Sequence, residues 1–192
     1  MNETFVQFLT KNARVLTDLF KQDDEMTNII KTLQEAKKEG RQVFICGNGG
    51  SAGTATHLAA DLFKMAKIKA ISLCDNTPLM TAIINDDGWK ELFRAQLERL
   101  YNKGDILISI SVHGAAGEEN AGPWSANIGQ AISYVNCNGG TTIGLTGFDG
   151  GEMKYSCHHC LIVPANSTPI VEALHTVLHH YIAFELMEGN RK

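Results

Sequence analysis

The apolar residues of this chain keep a helical period as far as Gly40 and then break into short strand-like runs. Over residues 3–21, Phe5, Phe8, Val15, Leu16, Leu19 and Phe20 fall along one helical stripe. A second helix is predicted to begin near Asp23 or Asp24, to carry Met26, Ile29, Ile30 and Leu33, and to end at Gly40. Beyond it, the runs Val43 to Cys46, Ala70 to Leu73, Ile106 to Ser111, Thr142 to Thr146 and Leu161 to Val163 are rich in apolar and β-branched residues. Each is separated from the next by a helical stretch. That alternation predicts an α/β fold, a parallel sheet with helices on both faces, whose ligand site lies at the carboxyl ends of the strands. The helical pair in 1–40 is broadly apolar and must dock on the α/β core of 41–192 or on another subunit, so an oligomer is expected.

With 192 residues and 44% hydrophobic content, the chain can bury one substantial core, and a single domain over 1–192 is the expectation. Its formal charge of -4, without clustered Lys and Arg, argues against direct nucleic-acid binding. No apolar run approaches the roughly 20 residues needed to span a bilayer, and Met1 to Arg14 has no signal-peptide core, so a cytoplasmic protein is expected. Cys46, Cys74, Cys137, Cys157 and Cys160 are an odd set that suggests reduced thiols. Cys157-His158-His159-Cys160 looks like half of a zinc site, but no second pair follows it and it runs into Leu161 to Pro164, so it reads as the entry to a strand.

The chemistry is concentrated after the strands. Val43 to Ser51 reads as a buried strand, a tight turn through Gly47-Asn48-Gly49-Gly50-Ser51, and a helix start whose free N–H groups and Ser51 hydroxyl suit an anion. The turn lacks the third glycine of a dinucleotide loop and the Gly-Lys-Ser/Thr of a P-loop, which points to a smaller phosphate-bearing ligand than ATP or NAD. On the following helix His57 and Asp61 stand at i and i+4, about 40° apart, where they either bind a metal, move a proton or form a solvated pair. The C-terminal helix, starting at Ser167 or Thr168 with Pro169 at its first position, carries Glu172, His175, His179 and His180. His175 and His179 form an i,i+4 pair, while Glu172 and His180 differ by about 80° and can converge on a ligand; some of these histidines instead belong to the interior. After the third strand, Ser109, Ser111, His113 and then Ser125 and Asn127 again suit a phosphate, or else form a mobile surface loop.

These residues resemble the sugar isomerase (SIS) domain family, most nearly its phosphoheptose isomerases. The likeness covers nearly the whole chain and is carried by Gly47-Asn-Gly-Gly-Ser51, Thr81-Ala-Ile-Ile-Asn85-Asp86, Gly144-Leu-Thr-Gly147 with Asp149-Gly150-Gly151, and Thr168-Pro169. It implies a five-stranded parallel sheet in a three-layer sandwich, a homotetramer with shared active sites, and conversion of sedoheptulose 7-phosphate to D-glycero-D-manno-heptose 7-phosphate for surface polysaccharide. Position by position, it implies that Ser51, Ser111 and Ser125 hold the phosphate, with Asn48, Gly49, Gly50, Asp86 and His113 completing the substrate site. It also implies Zn²⁺ on His57, Asp61, Glu172 and His180. The family usually has Glu at Asp61 and Gln at Glu172. Its Ser-Thr-Ser-Gly-Asn-Ser loop reads here as Ser111-Val-His113-Gly-Ala-Ala, with an insertion before Ser125, so a phosphate hydroxyl is missing and His113 stands as a substitute donor.

Isomerisation needs a base beside the sugar carbonyl and an acid on its oxygen, and Asp61 and His180 are assigned these roles. The competing class is a non-catalytic SIS protein that binds a phosphosugar or a protein partner, as the replication-initiator-binding relatives do. Four occupied donor positions favour the enzyme.

Overall fold

Two helices lead into the sheet. In the computed structural model, which describes residues 3–115 and 125–187, α1 runs Phe5–Asp18, a 3-10 turn covers Leu19–Gln22, and α2 runs Asp23–Glu39. Asp23, Asp24 and Glu25 in the first turn of α2 and Lys37 and Lys38 in its last suit the helix dipole. Gly40, in the left-handed conformation, ends it as expected.

The alternating part follows as β1 Gln42–Gly47, α3 Gly50–Lys64, β2 Lys69–Ser72, α4 Thr77–Asp86 and α5 Arg94–Leu100. It continues through β3 Ile106–Ser111, α6 Ala126–Cys137, β4 Thr141–Gly147, α7 Met153–Ser156, β5 His159–Val163 and α8 Thr168–Glu185. The strands lie in the order β2-β1-β3-β4-β5, and every neighbouring pair is parallel. This is the five-stranded parallel sheet that the alternation predicts.

The period of two along each strand sorts the core into two layers. Val43 and Ile45, with Ile106, Ile108, Ile143 and Leu145, pack under α2, α3 and α8; Phe44, Cys46 and Leu107 pack under α5, α6 and α7. Phe8, Val15 and Leu19 reach the first layer only partly, and α1 buries no residue. The predicted N-terminal stripe therefore splits, with Phe5 and Phe20 left 74% and 76% exposed.

Strand β5 is a sheet edge, and the N-terminal segment covers its backbone. Gln22 Nε2 donates to Ile162 O at 2.6 Å, Ile162 N donates to Gln22 Oε1 at 2.8 Å, and Cys160 N donates to Glu25 Oε1 at 2.8 Å. Side-chain amide and carboxylate thus take the place of a sixth strand. The Cys157–Cys160 segment is the entry to β5, and burial pushes both thiols up to about 12. No helix among the described residues is long and apolar enough to cross a membrane.

Candidate active site

The sheet changes its direction of winding at β1, because β2 lies on one side of it and β3 on the other. Loops leaving β1 and β3 part at this point and open a crevice at the strands' carboxyl ends. A cavity of about 200 Å³ occupies it, lined by Asn48, Ser51, Ser111, His113, Ser125, Thr168 and Glu172 among others. Asn48 and Asn127 exchange two side-chain amide hydrogen bonds at 3.0 and 2.9 Å, which ties the β1 turn to the start of α6. Ser111 Oγ accepts from Ala115 N at 3.1 Å, while Ser125, the N-cap of α6, makes no side-chain capping bond. The starts of α3 and α6 and three serines therefore face one small polar space, an arrangement suited to a phosphate.

His113 closes the cavity from the β3 loop. Its ring lies 4.3 Å from that of Phe148, and its buried Nδ1 has no hydrogen-bond partner among the described residues. Gly114 next to it adopts φ 71°, and a Cβ there would collide with the carbonyl of Gly150, so this loop nests directly on the loop after β4. Residues 116–124, which contain most of the expected insertion before Ser125, lie outside the described residues.

A second group of side chains sits farther along α3 and α8. His57, Asp61, His179 and His180 each offer a ligand atom, and these atoms all lie within 4.8 Å of one another. Asp61 Oδ2 is the hub: it is 3.5 Å from His57 Nε2, 3.6 Å from His180 Nδ1 and 3.8 Å from His179 Nε2. His57 and His180 are 52% and 42% exposed, so the cluster opens to solvent, whereas His179 is only 1% exposed. Burial first, then the imidazoles of His180 and His57, lower the His179 pKa to about 4, which leaves the ring neutral at pH 7. Three imidazoles around a carboxylate are a donor set that a zinc ion accepts.

Of the residues implicated by sequence, Asn48, Ser51, Ser111, His113, Ser125 and Glu172 line the cavity, and His57, Asp61 and His180 form the cluster. Glu172 is not part of that cluster, contrary to expectation. It precedes His180 by eight residues, about 12 Å along the helix, and its carboxylate lies against the start of α3, where a Cβ on Gly50 would be 2.6 Å from Glu172 Oε1. The glycine is what lets the carboxylate approach. Asp86 stands outside the cavity as well, exposed at the end of α4, where Asn85 Nδ2 donates to its Oδ1 at 2.7 Å. Gly49, with φ 57°, makes the turn into α3 without lining the cavity. His175 belongs to the interior, fully buried and held down to about 4 by that burial.

His179 is the residue that sequence reasoning left aside as a partner of His175 or an interior group. A signal was available: it follows Glu172 by seven residues, as His57 follows Gly50, and a separation of seven returns to the same helix face within about 20°.

The SIS domain model matches residues 7–147 of the chain. The phosphoheptose isomerase of Aliarcobacter butzleri is 35% identical over 186 residues, covering 88% of this chain and 94% of that protein. The phosphoheptose isomerase of Helicobacter pylori is 37% identical over 179 residues, covering 91% and 85%. Among solved structures, phosphoheptose isomerase GmhA from Neisseria gonorrhoeae superposes with a TM-score of 0.83 at 26% identity, covering 94% of this chain and 95% of that one.

Proposed function

We propose, from the premise that the chain belongs to the SIS domain family and within it to the phosphoheptose isomerases, that it interconverts sedoheptulose 7-phosphate and D-glycero-D-manno-heptose 7-phosphate. The observation that carries this reading is that one pair of helices serves both sites. The polar cavity lies where α3 begins, and the His–Asp cluster lies two turns farther on. From Gly50 to His57 is about 10 Å of helix, comparable to an extended seven-carbon sugar with its phosphate in the cavity and its carbonyl end at the cluster.

In this scheme Ser51, Ser111 and Ser125 and the free N–H groups of α3 and α6 receive the phosphate. Asn48 orients the chain through its amide, which Asn127 holds in place. Asp61 takes a proton from C1 of the ketose while His180 gives one to the C2 oxygen, which yields the enediol. Asp61 then returns its proton to C2, and His180 recovers the one on the C1 oxygen. Atoms and charge balance, and both residues end as they began. Oδ2 of Asp61 faces the imidazoles, which leaves Oδ1 for the carbon-bound proton. A zinc ion on His57, Asp61 and His180 supplies Lewis-acid polarisation of the sugar oxygens when bound.

We further infer that the protein is cytoplasmic, feeds surface-polysaccharide synthesis and assembles as a homotetramer. Five free thiols suit a reducing compartment. Phe5, Val6, Leu9 and Leu16 of α1 and Phe63, Val177, Tyr181 and Phe184 of α3 and α8 are large exposed apolar groups of the kind a subunit interface covers.

Incubation with sedoheptulose 7-phosphate in deuterated water, followed by NMR, tests the activity. The expected product is the aldose phosphate with deuterium at C2. Bound phosphosugar with neither product nor exchange would instead favour the non-catalytic binding class.

A further inference from the structure

The polar cavity at the crossover has no Lys or Arg among the described residues that line it. Serine and threonine hydroxyls, the Asn48 amide and the Glu172 carboxylate supply its polar wall, and His113 is the one basic side chain there. Anions are held best by donors that the charge strengthens, so recognition of a phosphate falls heavily on this imidazole.

Its setting is built from two loops. The ring lies 4.3 Å from that of Phe148, tilted by 47°. Phe148 holds φ 53°, a left-handed conformation that costs free energy in a residue with a Cβ and persists only where the surroundings impose it. Here backbone hydrogen bonds impose it: Gly147 N donates to Val112 O at 3.0 Å, Phe148 N to Ala165 O at 3.2 Å and Met153 N to Gly114 O at 3.2 Å. A Cβ on Gly151 would collide with the carbonyl of His113, as one on Gly114 would with that of Gly150, so the loops after β3 and β4 meet backbone to backbone. The imidazole is thereby given a fixed aromatic wall.

His113 Nδ1 is buried and has no hydrogen-bond partner among the described residues. A buried N–H without an acceptor costs its desolvation in full, so a single ring proton belongs on Nε2. We propose that His113 donates this Nε2–H to the phosphate of the sugar, and that Phe148 is the positioning residue that sets the ring for it. This rests on the reading that a phosphosugar occupies the cavity, and it names the pair of loops that recognises the charged end. Phosphorylated sugars are then distinguished from their unphosphorylated counterparts by side chains that follow β3 and β4, on the far side of the cavity from the β1 turn.

Calorimetric titration of the full-length protein with heptitol 7-phosphate, which has no carbonyl and cannot turn over, tests this apart from catalysis. His113→Ala should weaken binding roughly 10- to 100-fold, the span of one hydrogen bond to a charged group. Unphosphorylated heptitol should bind wild type and this variant alike. His113→Gln places an amide N–H where Nε2 stood and should recover most of the loss, whereas His113→Asn, which mimics Nδ1, should not. The contrast between Gln and Asn holds even where His113→Ala fails to fold. Phe148→Leu keeps an apolar side chain without the ring face and should weaken heptitol 7-phosphate about two- to tenfold. In the His113→Ala background the same change should add nothing further, because the two residues act as one unit.

Equal affinity in wild type and His113→Ala, or recovery by Asn in place of Gln, would overturn the assignment, and deuterium exchange on sedoheptulose 7-phosphate by wild type would still leave the isomerase reading standing. Equal losses from Phe148→Leu in the two backgrounds would overturn the positioning role of Phe148. Affinity that follows His113 in a protein giving no exchange would support the phosphate contact and remove the isomerisation alone.

Discussion

Asp61 concentrates the chemistry of the site in one carboxylate. It lies on the face of α3 that meets α8, and its Oδ2 sees three imidazoles within 3.8 Å. In the proposed mechanism Asp61→Asn keeps the shape and removes the base, and His180→Ala removes the acid. Each is expected to lower kcat by roughly a hundredfold or more, the usual contribution of a positioned acid or base, while phosphosugar binding followed by calorimetry persists. His175, four residues before His179, has a different effect. Its pKa sits at about 4, below the ordinary 6.5, because burial opposes the charged ring. The unfolded chain therefore binds the extra proton first, so the stability this group lends is complete above about pH 6.5 and is lost as pH falls toward 4. Urea denaturation at pH 7 and pH 4 measures it: His175→Phe should shrink the loss between them by on the order of 3 kcal/mol.

At the scale of elements, the strands were legible because their signal is local. Val43 to Cys46 and Ile106 to Ser111 alternate between two apolar layers, and a period of two needs no knowledge of the partner strand. The anion turn was legible for the same reason, since Gly49, Gly50 and Ser51 must make a tight turn wherever it faces. What depended on distant segments was not legible. Gln22 and Glu25 look like ordinary polar residues at a helix start, yet they bond the backbone of Ile162 and Cys160, more than a hundred residues away in the chain. Likewise Glu172 lies against Gly50 at the start of α3 while His179 joins His180 near Asp61, because a helical wheel gives direction around the axis while the neighbouring helix decides which residues meet. The edge contact yields a measurable consequence. Gln22→Ala leaves a backbone N–H and C=O of β5 unpaired in a part-buried setting, and denaturant unfolding should show a loss of about 1–3 kcal/mol with catalysis unchanged.

For the whole molecule, the two apolar layers of the sandwich account for its interior, but they do not account for its outside. Phe5, Val6, Leu9 and Leu16 project from α1, and Phe63, Tyr181 and Phe184 project from the helices that carry the cluster. If subunits cover these groups, then assembly and the active site lie on the same elements. Phe5→Asp with Leu9→Asp should shift sedimentation toward smaller species, while a chain that sediments identically before and after the change would deny α1 that role.

Since α1 has 14 residues and buries none of them, it has little to hold it when the chain is alone. Helices of about 12–15 residues are marginal in water by themselves. Dilution should therefore erode ellipticity at 222 nm before it reaches the sheet, and the melting point should climb with protein concentration, so that this outlying helix is the last part of the fold to become permanent.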